Sequence, residues 1–111
     1  PYVMPEFLLP SLSAQEALAR PGRLIDVRRR VVRREARTDV AGSLWIDPLT
    51  LDHSHPILSE SAQLTFYCAH GHELSQFATA LALVHKCDAC FVRHGFAALV
   101  EAGAPLTEIG R

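Results

Sequence analysis

Cys68 is the residue of this sequence whose surroundings best suit chemistry. It follows the short apolar run Leu64–Tyr67 and precedes a helix-forming run that begins near Leu74. A loop between a strand and a helix leaves several backbone N–H groups free and lies at the positive end of a helix dipole. Both features favour a thiolate or another anion, so we expect Cys68 to be a reactive cysteine. A buried structural thiol is the alternative.

Other residues that could bind metals or carry redox chemistry lack a supporting pattern. Cys87 and Cys90 form a Cys-x-x-Cys pair without a second half, and Cys90 falls in a predicted strand, so we expect two unlinked thiols. Two His-x-His pairs have no recognised metal-ligand spacing: His53 with His55, and His70 with His72. We therefore predict neither a metal site nor a cofactor.

A cluster of arginines gives one segment a strong local charge, although the net charge of the chain is -1. Such a patch could meet nucleic acid or an acidic partner. No interleaved aromatic residues or nucleic-acid motif accompany the charges, so a solvated loop or short helix is the simpler reading and we predict no nucleic-acid partner. The cluster comprises Arg28, Arg29, Arg30, Arg33, Arg34 and Arg37.

Length and composition fit one globular domain. The chain has 111 residues, of which 49% are hydrophobic, and no apolar run approaches the roughly 18 residues that a membrane span needs. Three cysteines are too few for a disulfide scaffold, and the first residues lack a secretory pattern, so we expect a cytoplasmic protein without a membrane partner. Met4 is a candidate native start, in which case residues 1–3 are an added extension.

Strand and helix signals alternate along the chain, which indicates a parallel sheet covered by helices. Ser13 to Glu16 fits a capping box that starts a short helix, and Pro21-Gly22 stops it. Trp45 and Phe91 are expected in the core. The predicted strands are Leu24–Val27, a short strand within Ala41–Ile46, Leu64–Tyr67 and Ala89–Val92, and the further helices run from Leu74 to about Val84 and from Gly95 towards Gly103.

The order of several short motifs resembles the rhodanese-like sulfurtransferases over nearly the whole chain. The resemblance implies an α/β fold, a three-layer sandwich with a central parallel sheet and helices on both faces, formed by residues 1–111 as a single domain. The similar segments are Leu24-Ile25-Asp26-Val27-Arg28 (the hydrophobic-Asp-x-Arg strand end), Ala41-Gly42-Ser43 (an altered His-Ile-x-Gly-Ala segment), Tyr67-Cys68-x-x-Gly71 (the active-site loop), Val92-Arg93-His94-Gly95-Phe96 (the Gly-Gly turn) and Ala102-Gly103-Ala104-Pro105-Leu106 (the Gly-x-Pro end).

The resemblance also implies an activity. Cys68 would take a sulfane sulfur from a donor, hold it as a persulfide and pass it to a thiophilic acceptor. Asp26 and Arg28 are expected to pair structurally, while Arg28 and His94 could line the rim of the pocket. The N–H groups of the loop, which Gly71 allows to curl, would form the cradle of the persulfide: Ala69, His70, Gly71, His72 and Glu73.

Two positions of the loop differ from thiosulfate-using rhodaneses, which often carry cations there. Ala69 and Glu73 occupy them, and a carboxylate repels a dianion, so we expect weak use of thiosulfate and a small-molecule or protein persulfide as donor. A phosphatase or arsenate reductase would need a cation in place of Glu73. The remaining alternative is a binding or regulatory rhodanese-like module, or a thiol-based sensor.

Overall fold

The computed structural model describes residues 9–110, and its centre is a five-stranded parallel sheet. The strands are β1 (Ser11–Leu12), β2 (Arg23–Asp26), β3 (Thr38–Val40), β4 (Leu44–Trp45), β5 (Leu64–Tyr67), β6 (Ala89–Val92) and β7 (Leu106–Glu108). The order in the parallel sheet is β1-β6-β5-β2-β4, and β3 and β7 form a separate antiparallel pair outside it.

Four helices connect these strands, and a local signal in the sequence explains where the first of them begins. The Ser13 side chain accepts a hydrogen bond from the Glu16 N–H while Glu16 accepts one from the Ser13 N–H, so the predicted capping box is confirmed. The helices are α1 (Ala14–Ala19), α2 (Arg30–Ala36), α3 (Glu73–Val84) and α4 (Gly95–Glu101), with short 3-10 helices at Pro48–Thr50 and Pro56–Ser59.

Apolar residues fill both faces of the sheet. Successive residues of a strand point to opposite faces, so Phe66 packs in one cluster and Tyr67 in the other. The first cluster includes Ala78 and Leu81 of α3, and the second includes Ala17 of α1 with residues of α4. The structure therefore confirms the predicted α/β sandwich, with a parallel sheet between two helical layers.

The strand order places a crevice between β2 and β5. From β2 the chain crosses to β4 on one side, whereas β5 lies on the other side of β2 and is followed by β6. The order of the strands thus reverses between β2 and β5, and ligands of open parallel sheets bind at the carboxyl ends of the strands at such a point. Asp26 and Tyr67 are partners in the register there.

Most predicted elements are confirmed, and one expectation changes. Strands β5 and β6 have the predicted bounds, and the arginine-rich segment contains the short helix α2. Trp45 is half-buried and outside both core clusters, because the Arg30 and Arg33 guanidinium groups each stack 5.0 Å from its ring centroid. The candidate start at Met4 lies outside the described residues. Among residues 9–110, the helices are too short or too polar to span a bilayer.

Candidate active site

Cys68 lies directly after the central strand β5, at the carboxyl end of the sheet. Its side chain is buried, and its Sγ lies 3.1 Å from Ser75 Oγ in the first turns of α3. The Ser75 side chain is fully buried as well. Among the described residues, its hydroxyl forms one hydrogen bond, and that bond is the contact with Sγ. The sulfur is therefore held against a hydroxyl group that can donate to a thiolate.

The loop after Cys68 is fixed by close contact with the start of α4. Gly71 has φ +76 and Gly95 has φ +58, the left-handed region that favours glycine. A Cβ atom on Gly95 would lie 2.3 Å from the Cys68 carbonyl oxygen, and one on Gly71 would lie 2.6 Å from the His94 nitrogen. The Phe96 N–H also donates to the Cys68 carbonyl at 2.8 Å. Only glycines allow the two backbone segments to approach this closely.

The backbone N–H groups of this loop are available to bind an anion. No N–H group from residue 69 to residue 75 donates to another residue of the described chain, 9–110. His72, which precedes the first residue of α3, supplies no side-chain cap. Unpaired N–H groups at the N-terminus of a twelve-residue helix carry partial positive charge, so an anion beside Cys68 is favoured.

A cavity of about 280 Å³ opens above Cys68. The cysteine loop and the first turn of α3 form one wall, and the segment that follows β2 forms the other. This position agrees with the crevice between β2 and β5 at the carboxyl ends of the strands. Its lining residues are Arg28, Arg29, Val32, Cys68, Ala69, His70, His72, Glu73 and Leu74. A larger depression of about 670 Å³, between α2 and residues 108–110, contains no cysteine.

Arg28 forms the buried side of this cavity and is committed to structural contacts. Its Nη2 lies 2.8 Å from Asp26 Oδ2 and 3.0 Å from the Thr38 carbonyl oxygen, which confirms the predicted pairing. The guanidinium carbon lies 4.0 Å from the Phe96 ring centroid. Arg28 Nη1 is buried without a hydrogen-bond acceptor among the described residues. Removing Asp26 would leave the buried Arg28 charge without its carboxylate partner, whereas Asp26 also lies 3.4 Å from Arg33 Nε, so the main effect of the pair is to fix the end of β2.

The predicted cradle and rim residues are distributed over two adjacent depressions. Five of the seven predicted rim and cradle residues line the Cys68 cavity, namely Arg28, Ala69, His70, His72 and Glu73. His94 and Gly71 line the neighbouring depression, with His70 and His72 at the boundary between the two. His94 has φ +62, so it occupies the position of the expected glycine in a glycine-like conformation.

The other histidines and cysteines that could do chemistry lie away from the cavity. Cys87 and Cys90 are free thiols, as predicted, and burial raises the pKa of both. His53 Nδ1 lies 2.9 Å from His85 Nε2 at the surface. Within residues 9–110, no group of three or more His, Cys, Asp or Glu side chains is arranged so that it could hold a metal ion.

Ser75, Arg29 and Val32 are site residues that the sequence reasoning missed. Ser75 is two residues inside α3, where a helical turn brings its side chain back to the cysteine. Arg29 and Val32 follow β2, and the signal that could have identified them is topological. Once β2 and β5 are neighbours in a parallel sheet, the residues after β2 must face the loop after β5.

Comparisons with solved structures identify the fold. A rhodanese-related protein from Thermoplasma volcanium superimposes with a TM-score of 0.74 at 22% identity, over 88% of this chain and 97% of that one. The fold is rhodanese-like. A thiosulfate sulfurtransferase from Pseudomonas aeruginosa gives a TM-score of 0.71 at 20% identity, over 90% of this chain but 19% of that one.

A third structural match is described in different functional terms. A protein of unknown function from Rhodopseudomonas palustris, a possible tyrosine phosphatase, gives a TM-score of 0.64 at 20% identity, over 89% of this chain and 85% of that one. No protein-family model and no curated protein matches the chain. The rhodanese-like fold therefore agrees with the resemblance of the motifs, and the reaction must be argued from the site.

Proposed function

We propose that this rhodanese-like domain is a sulfurtransferase that carries a sulfane sulfur as a persulfide on Cys68. The observation that carries the proposal is the position of Cys68 beneath a cavity, at the point where the strand order reverses, beside unpaired N–H groups. The fold shared with a thiosulfate sulfurtransferase supports the same reaction class.

The reaction has two steps that the site is suited to perform. In the first, the Cys68 thiolate attacks the outer sulfur of a donor R–S–SH, the donor S–S bond breaks, and R–S⁻ leaves with the electron pair and takes up a proton. In the second, a thiophilic acceptor attacks the outer sulfur of the Cys68 persulfide, and the electrons of the S–S bond return to Sγ. The negative charge stays near the sulfur in both steps.

Hydrogen-bond donors around the sulfur would stabilise this charge. The N–H groups of residues 69–75 are unpaired within the described chain, and the Ser75 hydroxyl is already within 3.1 Å of Sγ. Donors fixed by the fold need no rearrangement when charge develops, so they lower the barrier more than mobile water would. The donor would be a small-molecule or protein persulfide, and the acceptor a thiophilic molecule.

A phosphatase reaction has less support. Such an enzyme holds a dianionic phosphate with a cation at the end of the cysteine loop. Glu73 occupies that part of the loop, and its carboxylate forms no ion pair among the described residues that would neutralise it. The loop wall of the cavity therefore disfavours a phosphate ester.

Intact-protein mass spectrometry tests the proposal. After incubation with inorganic polysulfide and removal of the excess, the wild type should gain the mass of one sulfur atom, and cyanide or a thiol should remove it. Cys68→Ser should gain nothing, whereas Cys87→Ser should behave as the wild type. A wild type that gains no sulfur would instead favour a regulatory module, and a gain that survives Cys68→Ser would assign the sulfur to another thiol.

A further inference from the structure

The Cys68 cavity carries two opposite charges that do not neutralise each other. Arg29 lines it from the start of α2, and Glu73 lines it from the start of α3. Both side chains are exposed, and neither forms an ion pair or a side-chain hydrogen bond with another residue of the described chain. The charged groups of Arg29 and Glu73 are therefore more than 4.0 Å apart.

Arg29 differs in this respect from Arg30 and Arg33 of α2. Arg30 lies 3.4 Å from Asp47 and stacks on Trp45, and Arg33 lies 2.7 Å from Asp39. These two charges are therefore compensated by neighbours within the fold. The Arg29 charge is available at the mouth of the cavity, opposite a carboxylate that is equally available.

Apolar side chains also line the cavity. Val32 lies on the α2 side, and Ala69 and Leu74 lie on the side of the cysteine loop. A short aliphatic segment can pack there, while separate carboxylate and ammonium groups reach Arg29 and Glu73. A ligand with a single charge would leave one of the two residues without a partner.

From this arrangement we propose that the cavity selects small zwitterionic thiols and persulfides, of which an amino-acid persulfide is the simplest. The ligand carboxylate pairs with Arg29, its ammonium group pairs with Glu73, and its sulfur is directed to Cys68. The inference rests on the proposed sulfurtransferase function and specifies its substrate class. It also gives Glu73, which disfavours thiosulfate, a positive role in binding.

Four small thiols that differ in charge test the proposal as sulfur acceptors. Cys68 is first loaded with inorganic polysulfide, and kcat/KM is then measured for cysteine, mercaptoacetate, cysteamine and mercaptoethanol. The acceptor thiolate attacks the outer sulfur, the S–S bond breaks, and its electrons return to Cys68 Sγ. The ratio of variant to wild type is compared for each thiol, because the intrinsic reactivity of that thiol then cancels.

The two substitutions should act on different thiols. Arg29→Gln should lower kcat/KM about fivefold for cysteine and mercaptoacetate, leave mercaptoethanol unchanged, and not lower it for cysteamine, whose ammonium group the arginine repels. Glu73→Gln should lower it about fivefold for cysteine and cysteamine, leave mercaptoethanol unchanged, and not lower it for mercaptoacetate, whose carboxylate Glu73 repels. Arg34→Gln is the matched control, because Arg34 is an exposed arginine of α2, the helix that follows Arg29, and lies outside the Cys68 cavity. Equal losses for all four thiols, or the same pattern in Arg34→Gln, would refute the selection.

A second measurement needs no sulfur transfer and so separates the two proposals. S-methylcysteine should slow the alkylation of Cys68 by iodoacetamide in the wild type, and this protection should weaken in Arg29→Gln and in Glu73→Gln. The neutral analogue 2-(methylthio)ethanol should protect less. If Cys68 gains no sulfur but is protected in this pattern, only the proposed function fails. If it gains sulfur and the two analogues protect equally, only the substrate class fails.

Discussion

The segment around Cys68 and the segment from Cys87 to Cys90 adjoin neighbouring strands of the sheet, but their sulfur atoms have different surroundings. Cys68 follows β5 at the carboxyl end of the sheet, beneath a cavity and beside a loop whose N–H groups have no acceptor among residues 9–110. Cys90 lies within β6, with its Sγ 3.7 Å from Thr65 Oγ1, and the Cys87 Sγ donates to the Leu58 carbonyl.

Position in the sheet explains this difference better than burial does. Cys68 and Cys90 are buried to a similar extent, with 5% and 4% of their surface exposed. A strand interior offers a sulfur atom only side chains, because its backbone groups are used in the sheet. The end of a central strand adds a loop, a helix N-terminus and access from solvent. The different surroundings of the two thiols therefore follow from topology, and substitutions and thiol measurements can test that view.

The largest effect is expected from closing the contact that shapes the Cys68 loop. Gly95→Ala places a Cβ atom 2.3 Å from the Cys68 carbonyl oxygen at a residue with φ +58. Chemical denaturation should show a loss of about 3 kcal/mol in the free energy of unfolding. The matched control is Gly103→Ala, where φ is +87 but nothing lies within 4 Å, and about 1 kcal/mol should be lost.

Lys86, just before Cys87, is a position of positive φ where we expect substitution to have little effect on stability, in contrast to Gly95. Lys86 adopts φ +64 without being a glycine, and its side chain is exposed. Lys86→Gly should therefore change the free energy of unfolding by less than about 1 kcal/mol. If Gly95→Ala were as mild as Lys86→Gly, the close backbone contact would not be what shapes the active-site loop.

Selective alkylation compares the three thiols directly. At neutral pH, iodoacetamide should modify Cys68 at least about tenfold faster than Cys87 or Cys90, because burial raises the pKa of the latter two and thiolates are the reactive form. Peptide mapping after short reaction times measures the three rates. In denaturant the rates should converge, and selectivity that persisted there would come from local sequence instead of the fold.

The same two raised pKa values determine a pH dependence of stability. A thiol whose pKa is higher in the folded protein stabilises the fold fully below the pKa of the unfolded thiol. This contribution is lost as the pH rises through the folded pKa. Cys90→Ala should therefore reduce the alkaline loss of stability, measured by denaturation from pH 8 to 10, while adding a constant cost for its cavity. A slope that is unchanged in Cys90→Ala would show that other groups cause the alkaline loss.

The fold was easier to predict from the sequence than the site. The strands Leu64–Tyr67 and Ala89–Val92 and the capping box at Ser13 each depend on neighbours in the sequence, and all three are confirmed. Arg29 shares a cavity with Cys68 only through the pairing of β2 with β5, and residues 27–63 separate these two strands in the sequence. The sequence predicts Trp45 in the core, but two arginines of α2 cover its ring instead.

A moderate effect is expected from removing the hydroxyl beside the sulfur. Ser75→Ala deletes the contact at 3.1 Å from Cys68 Sγ, and sulfur transfer should fall about fivefold, the usual effect of one hydrogen bond. Thr79→Val is the matched control, since it removes a buried hydroxyl of α3 that donates to the Ser75 carbonyl oxygen. If both variants lose the same activity, the loss is one of packing. A lower alkylation rate of Cys68 in Ser75→Ala alone would support the contact with the sulfur.

The smallest effect concerns the charge of the donor. Glu73→Arg replaces the carboxylate at the cavity by a cation, so the apparent KM for thiosulfate should fall about threefold in a thiosulfate:cyanide assay. Glu101→Arg makes the same charge change on an exposed residue of α4 outside this cavity, so it controls for long-range attraction of the dianion. The difference in apparent KM between Glu73→Arg and Glu101→Arg should be smaller at high salt than at low salt, because salt screens exposed charges. If the two variants have the same KM, repulsion by Glu73 does not limit thiosulfate binding, and Arg29 on the opposite wall already compensates for the missing loop cations.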